Sequence, residues 1–261
     1  MAGMKRPSIE RDERMERAME NSIYIGLSRQ TALRREMSMV ANNIANMNTT
    51  GFKREMMIYQ TYPEKTGFTD KLDFVIDQGT AIDYQPGGLK ITSNTFDLAI
   101  RGPGYFEVDD GTGTKYTRNG TFTMDENNRL VTQDNHPVLD TQGNPIVIPP
   151  ASDLKLVIGE DGTVSVGDEI VGQLSVVEFD NLLDLKKDRD SLYSSEVAPI
   201  PATNSQVAQG AIETSNVNPI IEMTNMITVQ RTYEAVKTMI ETENERQKEA
   251  TQRLARPMQG V

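Results

Sequence analysis

Two apolar seams of the same period, at opposite ends of the chain, limit most strongly what this sequence can become. Leu33, Met37, Val40, Ile44 and Met47 recur at spacings of four, three, four and three, preceded by Ile23 and Leu27. Such a 3.5-residue period is the repeat with which one helix lays its side along another. Near the other end Met226, Val229, Tyr233, Val236 and Ile240 follow at three, four, three and four, and Ile220, Met223 and Ile227 widen the stripe. The first pattern predicts a helix from about Met19 to about Met47; the second predicts one opening at Pro219 behind a capping Asn218. A lone amphipathic helix is marginal in water, so each seam needs either the other helix or a neighbouring molecule to cover it.

Interruptions in the seams are informative. Gln30 stands where an apolar residue is expected between Leu27 and Leu33. The Asn-rich stretch ANNIANMNTTG, residues 41–51, should end the first helix, because Asn favours caps and turns and Gly51 can adopt positive φ. Beyond Ile240 the sequence turns polar, and the second helix is expected to fray before Pro257.

Between the seams the pattern changes. Residues 72–200 are rich in β-branched and aromatic residues punctuated by turn signals. Asn119-Gly120, flanked by Lys115-Tyr116-Thr117 and Thr121-Phe122-Thr123, predicts a hairpin, and Asp110-Gly111 and Asp161-Gly162 predict further turns. The uncharged, proline-containing stretch Ala198–Gln209 reads as a linker. The fold class expected is α+β: N- and C-terminal helices forming a coiled-coil-like stem, with an inserted all-β domain. The corresponding segments are a charged extension at 1–18, a helical stem at 19–60, a connecting segment at 61–90, an all-β outer domain at 91–197, and a linker with the C-terminal stem at 198–261.

Charge is distributed unevenly. Residues 1–60 carry a net +3, residues 61–200 a net −13 and residues 201–261 a net −1. An acidic block between balanced arms suits a middle that faces outward from an assembly whose arms lie inside, and it argues against a nucleic-acid partner. There are no cysteines, which excludes disulfides and thiolate metal sites. Residues 1–18 lack the apolar run of a secretory signal peptide, so export would need another route. His136 is the sole histidine and sits in an expected turn, which leaves a catalytic triad or imidazole metal site without support. Asp109, Asp110, Asp125 and Glu126 invite a cell-wall hydrolase reading with an acid/base pair, but they fall where turns require Asp anyway. No cofactor, metal or small-molecule substrate is expected.

Three strings carry a family resemblance. VANNIANMNTTGFKRE (Val40–Glu55) resembles the N-terminal signature of the bacterial flagellar rod and hook proteins: an Asn-Asn-Ile-Ala-Asn core, then a Thr-rich turn and Gly51-Phe52. GGLKITSNTFDLAIRGPGYFEV (Gly87–Val108) and YTRNGTFTMDENNRLVTQDNHPVLD (Tyr116–Asp140) are similar to the family's β-domain entry. QGAIETSNVNPIIEMTNMITVQRTYEAV (Gln209–Val236) is similar to its C-terminal motifs. The opening MENSIYIGLSRQ (Met19–Gln30) looks most like the proximal-rod members, and residues 1–18 precede the usual family start.

The resemblance implies a non-enzymatic structural subunit of the proximal rod in the basal body. The same family's distal rod or hook is the alternative position. It further implies periplasmic assembly after export without a cleaved signal peptide. Expected partners are other rod subunits (self and related axial proteins), the flagellar type III export apparatus and the surrounding ring proteins. The residues nominated for the assembly interface are Leu33, Met37, Val40, Asn42, Asn43, Ile44, Asn46 and Phe52 from the N-terminal arm. From the C-terminal arm they are Met226, Val229, Gln230, Arg231, Tyr233, Val236 and Ile240, with Arg231 as a forked donor.

Overall fold

The computed structural model describes residues 7–65, 71–149, 155–189 and 191–254. The chain separates into two units and passes between them four times. The first unit comprises Met1–Ile44, Glu55–Ala81 and Pro219–Val261, and the second Ala45–Arg54 and Ile82–Asn218.

The first unit is built on helices α1 (Pro7–Ala45) and α2 (Pro219–Leu254). Helix α1 ends inside the Asn-rich stretch as expected, and Pro219 opens α2. Both helices are longer than the periodic patterns. Helix α1 continues back from Met19 to Pro7, and α2 continues through its polar tail to Leu254. The helix thus persists well past Ile240 and ends before Pro257. Glu, Gln, Lys and Arg dominate that tail and are strong helix formers even without an apolar face. Strands β1 (Glu55–Lys65) and β2 (Lys71–Ile82) pair in a two-stranded sheet within the region read as the end of the stem and a connecting segment. The β-branched and aromatic run there was too irregular to announce a ribbon.

The second unit is all β. Its strands are β3 (Leu89–Ile91), β4 (Leu98–Arg101), β5 (Tyr105–Asp109), β6 (Thr114–Thr117), β7 (Phe122–Met124), β8 (Leu130–Thr132), β9 (Leu156–Ile158), β10 (Thr163–Val166) and β11 (Glu169–Gln173). They continue with β12 (Val176–Glu178), β13 (Lys186–Lys187), β14 (Leu192–Ser194), β15 (Ile200–Pro201), β16 (Gln206–Gln209) and β17 (Ala211–Glu213). A six-stranded sheet runs β13-β14-β6-β5-β12-β15, beside a three-stranded sheet β11-β10-β9 and the pairs β16-β4, β17-β3 and β7-β8. All the registered pairings are antiparallel. Leu98, Ile100, Phe106, Val108, Leu130, Val138, Val164 and Leu174 lie in its main apolar core. Tyr105, Tyr116, Val177, Leu185 and Tyr193 form a second, aromatic cluster.

Two of the expected turns are present. Asp110-Gly111 joins β5 to β6, with Gly111 at φ +83° and the Asp110 carboxylate accepting from the Thr112 and Gly113 amides. Asp161-Gly162 joins β9 to β10, with Gly162 at φ +82°.

The Asn119-Gly120 hairpin is a correction. Strand β6 pairs with β5 and β14, and β7 pairs with β8, so the two flanks never meet. Gly120 is instead a crossing point. Its carbonyl accepts from Leu98 N–H at 2.8 Å, and a Cβ there would lie 1.6 Å from the Leu98 oxygen. Glycine was required for close backbone approach, a demand that reads the same in sequence as a turn. The Ala198–Gln209 linker is also corrected. It contributes β15 to the six-stranded sheet and β16 to β4, because an uncharged stretch with Ile200 and Val207 can complete an edge.

Candidate assembly site

In the first unit α1 and α2 run antiparallel, as a ladder of contacts shows. Gly26 lies against Ile240, Arg34 reaches Tyr233, and Asn43 reaches Glu222. Leu33 and Val40 on α1, and Val229 and Ile240 on α2, are buried, while Met37, Ile44, Met226, Tyr233 and Val236 are half-buried. The inner seam thus contains the nominated apolar positions.

Gly26 supplies what periodicity did not reveal. A Cβ there would sit 2.9 Å from Ile240 Cγ1, so the absent side chain lets the helices approach closely. Gln30 also finds its reason, since with Arg34 it hydrogen-bonds the Tyr233 hydroxyl. The Arg34 bond, at 3.3 Å, is the main cause that holds the Tyr233 phenol below its usual 10.0.

Asn43, the second Asn of the NNIAN core, is fully buried. Its Oδ1 accepts from Glu55 N–H at 3.0 Å and its Nδ2 donates to Glu55 C=O at 2.9 Å, imitating a neighbouring strand's backbone at the start of β1. The same amide lies 3.4 Å from the Glu222 carboxylate, itself fully buried in the first turn of α2. One side chain therefore ties together the end of α1, the start of β1 and the start of α2. Tyr59 on β1 completes the first unit with a hydrogen bond to Glu36 and the Arg29 guanidinium 5.8 Å from its ring centre.

The second unit holds the rest of the N-terminal motif. Thr49 bonds the Asn46 side chain at 3.1 Å, and Gly51 takes φ +68° with its Cβ position 2.5 Å from the Arg118 carbonyl carbon. Gly51 N–H donates to Glu213 C=O at 2.8 Å. Arg54 N–H donates to Asn216 Oδ1 at 2.7 Å, and Asn216 Nδ2 donates to the Asp83 and Gln85 carbonyls. Phe52 is buried with the Lys187 ammonium 4.2 Å from its ring centre.

At the centre of this clasp lie three buried charges. Lys53 Nζ is 2.5 Å from Glu213 Oε1 and donates to Gln85 C=O at 2.9 Å. Arg118 is 3.6 Å from Glu213 Oε2, donates to Gly102 C=O at 2.6 Å, and lies over the Tyr105 ring. Burial pulls the Lys53 ammonium below its usual 10.5, opposed by the Glu213 charge, and burial pushes the Tyr105 phenol up. Sequence reading missed this cluster: Lys53, Arg118 and Glu213 are far apart in the chain and follow no period.

The nominated residues therefore divide. Asn43 and Phe52 are buried inside the chain, where they hold segments of the subunit together. Asn42, Gln230 and Arg231 lie at the surface, and Gln230 meets Glu234 at 3.3 Å. On α2 a second row faces away from the inner seam, with Met223, Ile227 and Ile220 exposed, Ile220 by 77 %. These three widen the apolar face beyond what α1 covers. Tyr24 and Leu27 on α1 are likewise exposed. The carboxylates of the hydrolase reading serve the local backbone. Asp109, Asp110 and Asp125 each accept from an amide of their own turn.

Comparison with known families decides the identity. Residues 23–53 match the family described as "Flagella basal body rod protein", residues 99–166 the "Flagellar hook protein FlgE/F/G D1 domain", and residues 208–253 the "Flagellar basal body rod FlgEFG protein C-terminal". The chain belongs to the flagellar basal-body rod proteins. It is 43% identical over 244 residues to flagellar basal-body rod protein FlgF of Caulobacter vibrioides, covering 91% of this chain and 99% of that protein. It is 36% identical over 219 residues to FlgF of Mesorhizobium japonicum, covering 83% and 90%. It is also 32% identical over 255 residues to FlgG of Bacillus subtilis, covering 87% and 96%. The matches bracket the chain from α1 to α2, and the rod family's N-terminal match ends on Lys53 of the clasp.

Proposed function

We propose that this chain is a structural, non-enzymatic subunit of the proximal flagellar rod that polymerises through the outward faces of α1 and α2. The observation that carries the reading is the exposed row on α2. That helix has already covered its inner seam against α1, yet Met223 and Ile227 stand exposed on its other side. Large apolar side chains aligned on a charged helix indicate a further partner. Identities of 43% and 36% to two FlgF relatives, against 34% and 32% to two FlgG relatives, support the proximal position over the distal rod.

In this reading other rod subunits cover the outer faces, and the ring proteins surround them. The subunit reaches the periplasm through the flagellar type III export apparatus. The acidic second unit faces outward, where like charges repel least.

Deleting the protein should give non-motile cells whose basal bodies stop before the distal rod and hook. Normal filaments on the deletion strain would overturn the reading. Ile227→Glu should block assembly while the purified chain unfolds as wild type does. Full motility of that variant would remove α2 from the interface. Charged substitutions at Ile44 or Tyr233 should also block assembly, through the inner seam, with the β unit still folded.

A further inference from the structure

The apolar cores of the second unit draw on only one of the segments through which the chain enters and leaves it, that of Ile82 and Tyr84, which pack against the aromatic cluster. The main core draws its members from Leu98 to Val207 and the aromatic cluster from Tyr105 to Tyr193, neither including Gly51–Arg54 or Ala211–Val217. Those segments are held by the β17–β3 pairing, the contact of Phe52 with Lys187, the Gly51–Glu213, Arg54–Asn216 and Asp83–Arg54 hydrogen bonds, and the ionic cluster of Lys53, Glu213 and Arg118. Of the chain's passages between units, those at residues 54–55, 81–82 and 218–219 lie within two or three residues of this clasp.

The cluster is electrostatically unbalanced. Lys53 and Glu213 are each 1 % exposed and Arg118 3 %, so two cations share one carboxylate away from water. Among the described residues, Arg118 Nε and Glu213 Oε2 have no hydrogen-bond partner. Desolvating charges offsets much of what their pairing contributes, whereas apolar burial carries no such cost. A segment held this way belongs to the low-stability end of a fold.

We infer that residues 51–54 and 211–216 form an ionic clasp that opens as one unit while the β core, with Tyr84 packed on it, stays folded. The inference goes beyond the rod reading and does not depend on it.

Hydrogen exchange on the purified full-length protein, at rising sub-denaturing guanidinium, tests it. The Gly51, Arg54, Thr214 and Asn216 amides should exchange through one shared opening, at least about tenfold faster than the core amides of Leu130, Val138 and Ile146. Glu213→Gln leaves two buried cations unpaired and should speed the clasp amides by a further tenfold or so, with core amides changing by less than about twofold. Lys53→Met leaves the Arg118–Glu213 pair balanced and should speed them less. Clasp and core amides exchanging at one rate, and accelerating together in both variants, would overturn the inference. If Glu213→Gln does not fold, the wild-type and Lys53→Met rates decide the question by themselves.

Discussion

Replacing Asn43 separates two roles for the most recognisable motif of the chain. The amide makes two hydrogen bonds to the Glu55 backbone, at 2.9 and 3.0 Å, and a longer one to Glu222. In Asn43→Ala the two backbone bonds are lost at about 1 kcal/mol each, and part-buried polar groups of Glu55 are left without that partner. A poorer environment for the buried Glu222 carboxylate adds to this, for a total near 2–4 kcal/mol. Asn43→Asp should cost more, because it keeps the shape but puts a carboxylate where Nδ2 faces Glu222 and the Glu55 carbonyl. The assay is urea unfolding followed by far-UV circular dichroism, which is weighted toward α1 and α2. The midpoint should fall in the order wild type, Ala, Asp. Both variants unfolding at the wild-type midpoint while failing to assemble would refute the reasoning, and would return Asn43 to the intersubunit contacts.

The other predictions address close approach and charge. Gly120→Ala places a Cβ 1.6 Å from the Leu98 carbonyl, so the second unit must shift backbone; a loss above about 3 kcal/mol in its unfolding free energy is expected, against about 0.5–1 kcal/mol of gain from a stiffer unfolded chain. Gly26→Leu drives a side chain into Ile240 and should loosen the helix pair by about 1–3 kcal/mol, read as a lower helical melting midpoint. Because burial lowers the Lys53 pKa below 10.5, the folded protein binds that proton more weakly than the unfolded chain does. The cost of charging Lys53 is then full at low pH and disappears as pH rises from the lowered value toward 10.5. Wild type should therefore gain stability over Lys53→Met across that interval, and a pH-independent difference between them would contradict the buried-ammonium assignment.

How much of this was legible in the sequence differs by element. The inner seam was readable because a helix repeats its burial every three or four residues, and Leu33, Val40, Val229 and Ile240 were buried where the spacing put them. The end of α1, the Gly51 turn and the Pro219 start were readable from local chemistry, which acts within a few residues. The β1–β2 ribbon was not, and nor were the strands of residues 200–209, since a short edge strand draws its stability from its partner. Asn119-Gly120 misled because a glycine required by a chain crossing looks like one required by a turn. Asn43 and Phe52 were singled out as interface residues, and the sequence could not say that partners for them lay within the chain.

The sequence by itself determined the two helices, the β-rich middle between them and the family, because each rests on local periodicity or contiguous motifs. Only the tertiary structure decided that α1 and α2 cover one another in antiparallel register, with Gly26 on Ile240 and Asn43 on Glu222. It alone brought Lys53, Arg118 and Glu213 into one buried cluster. The physical reason is range: propensity and capping act over a few residues, whereas charge pairing and close packing depend on which distant segments the fold brings together.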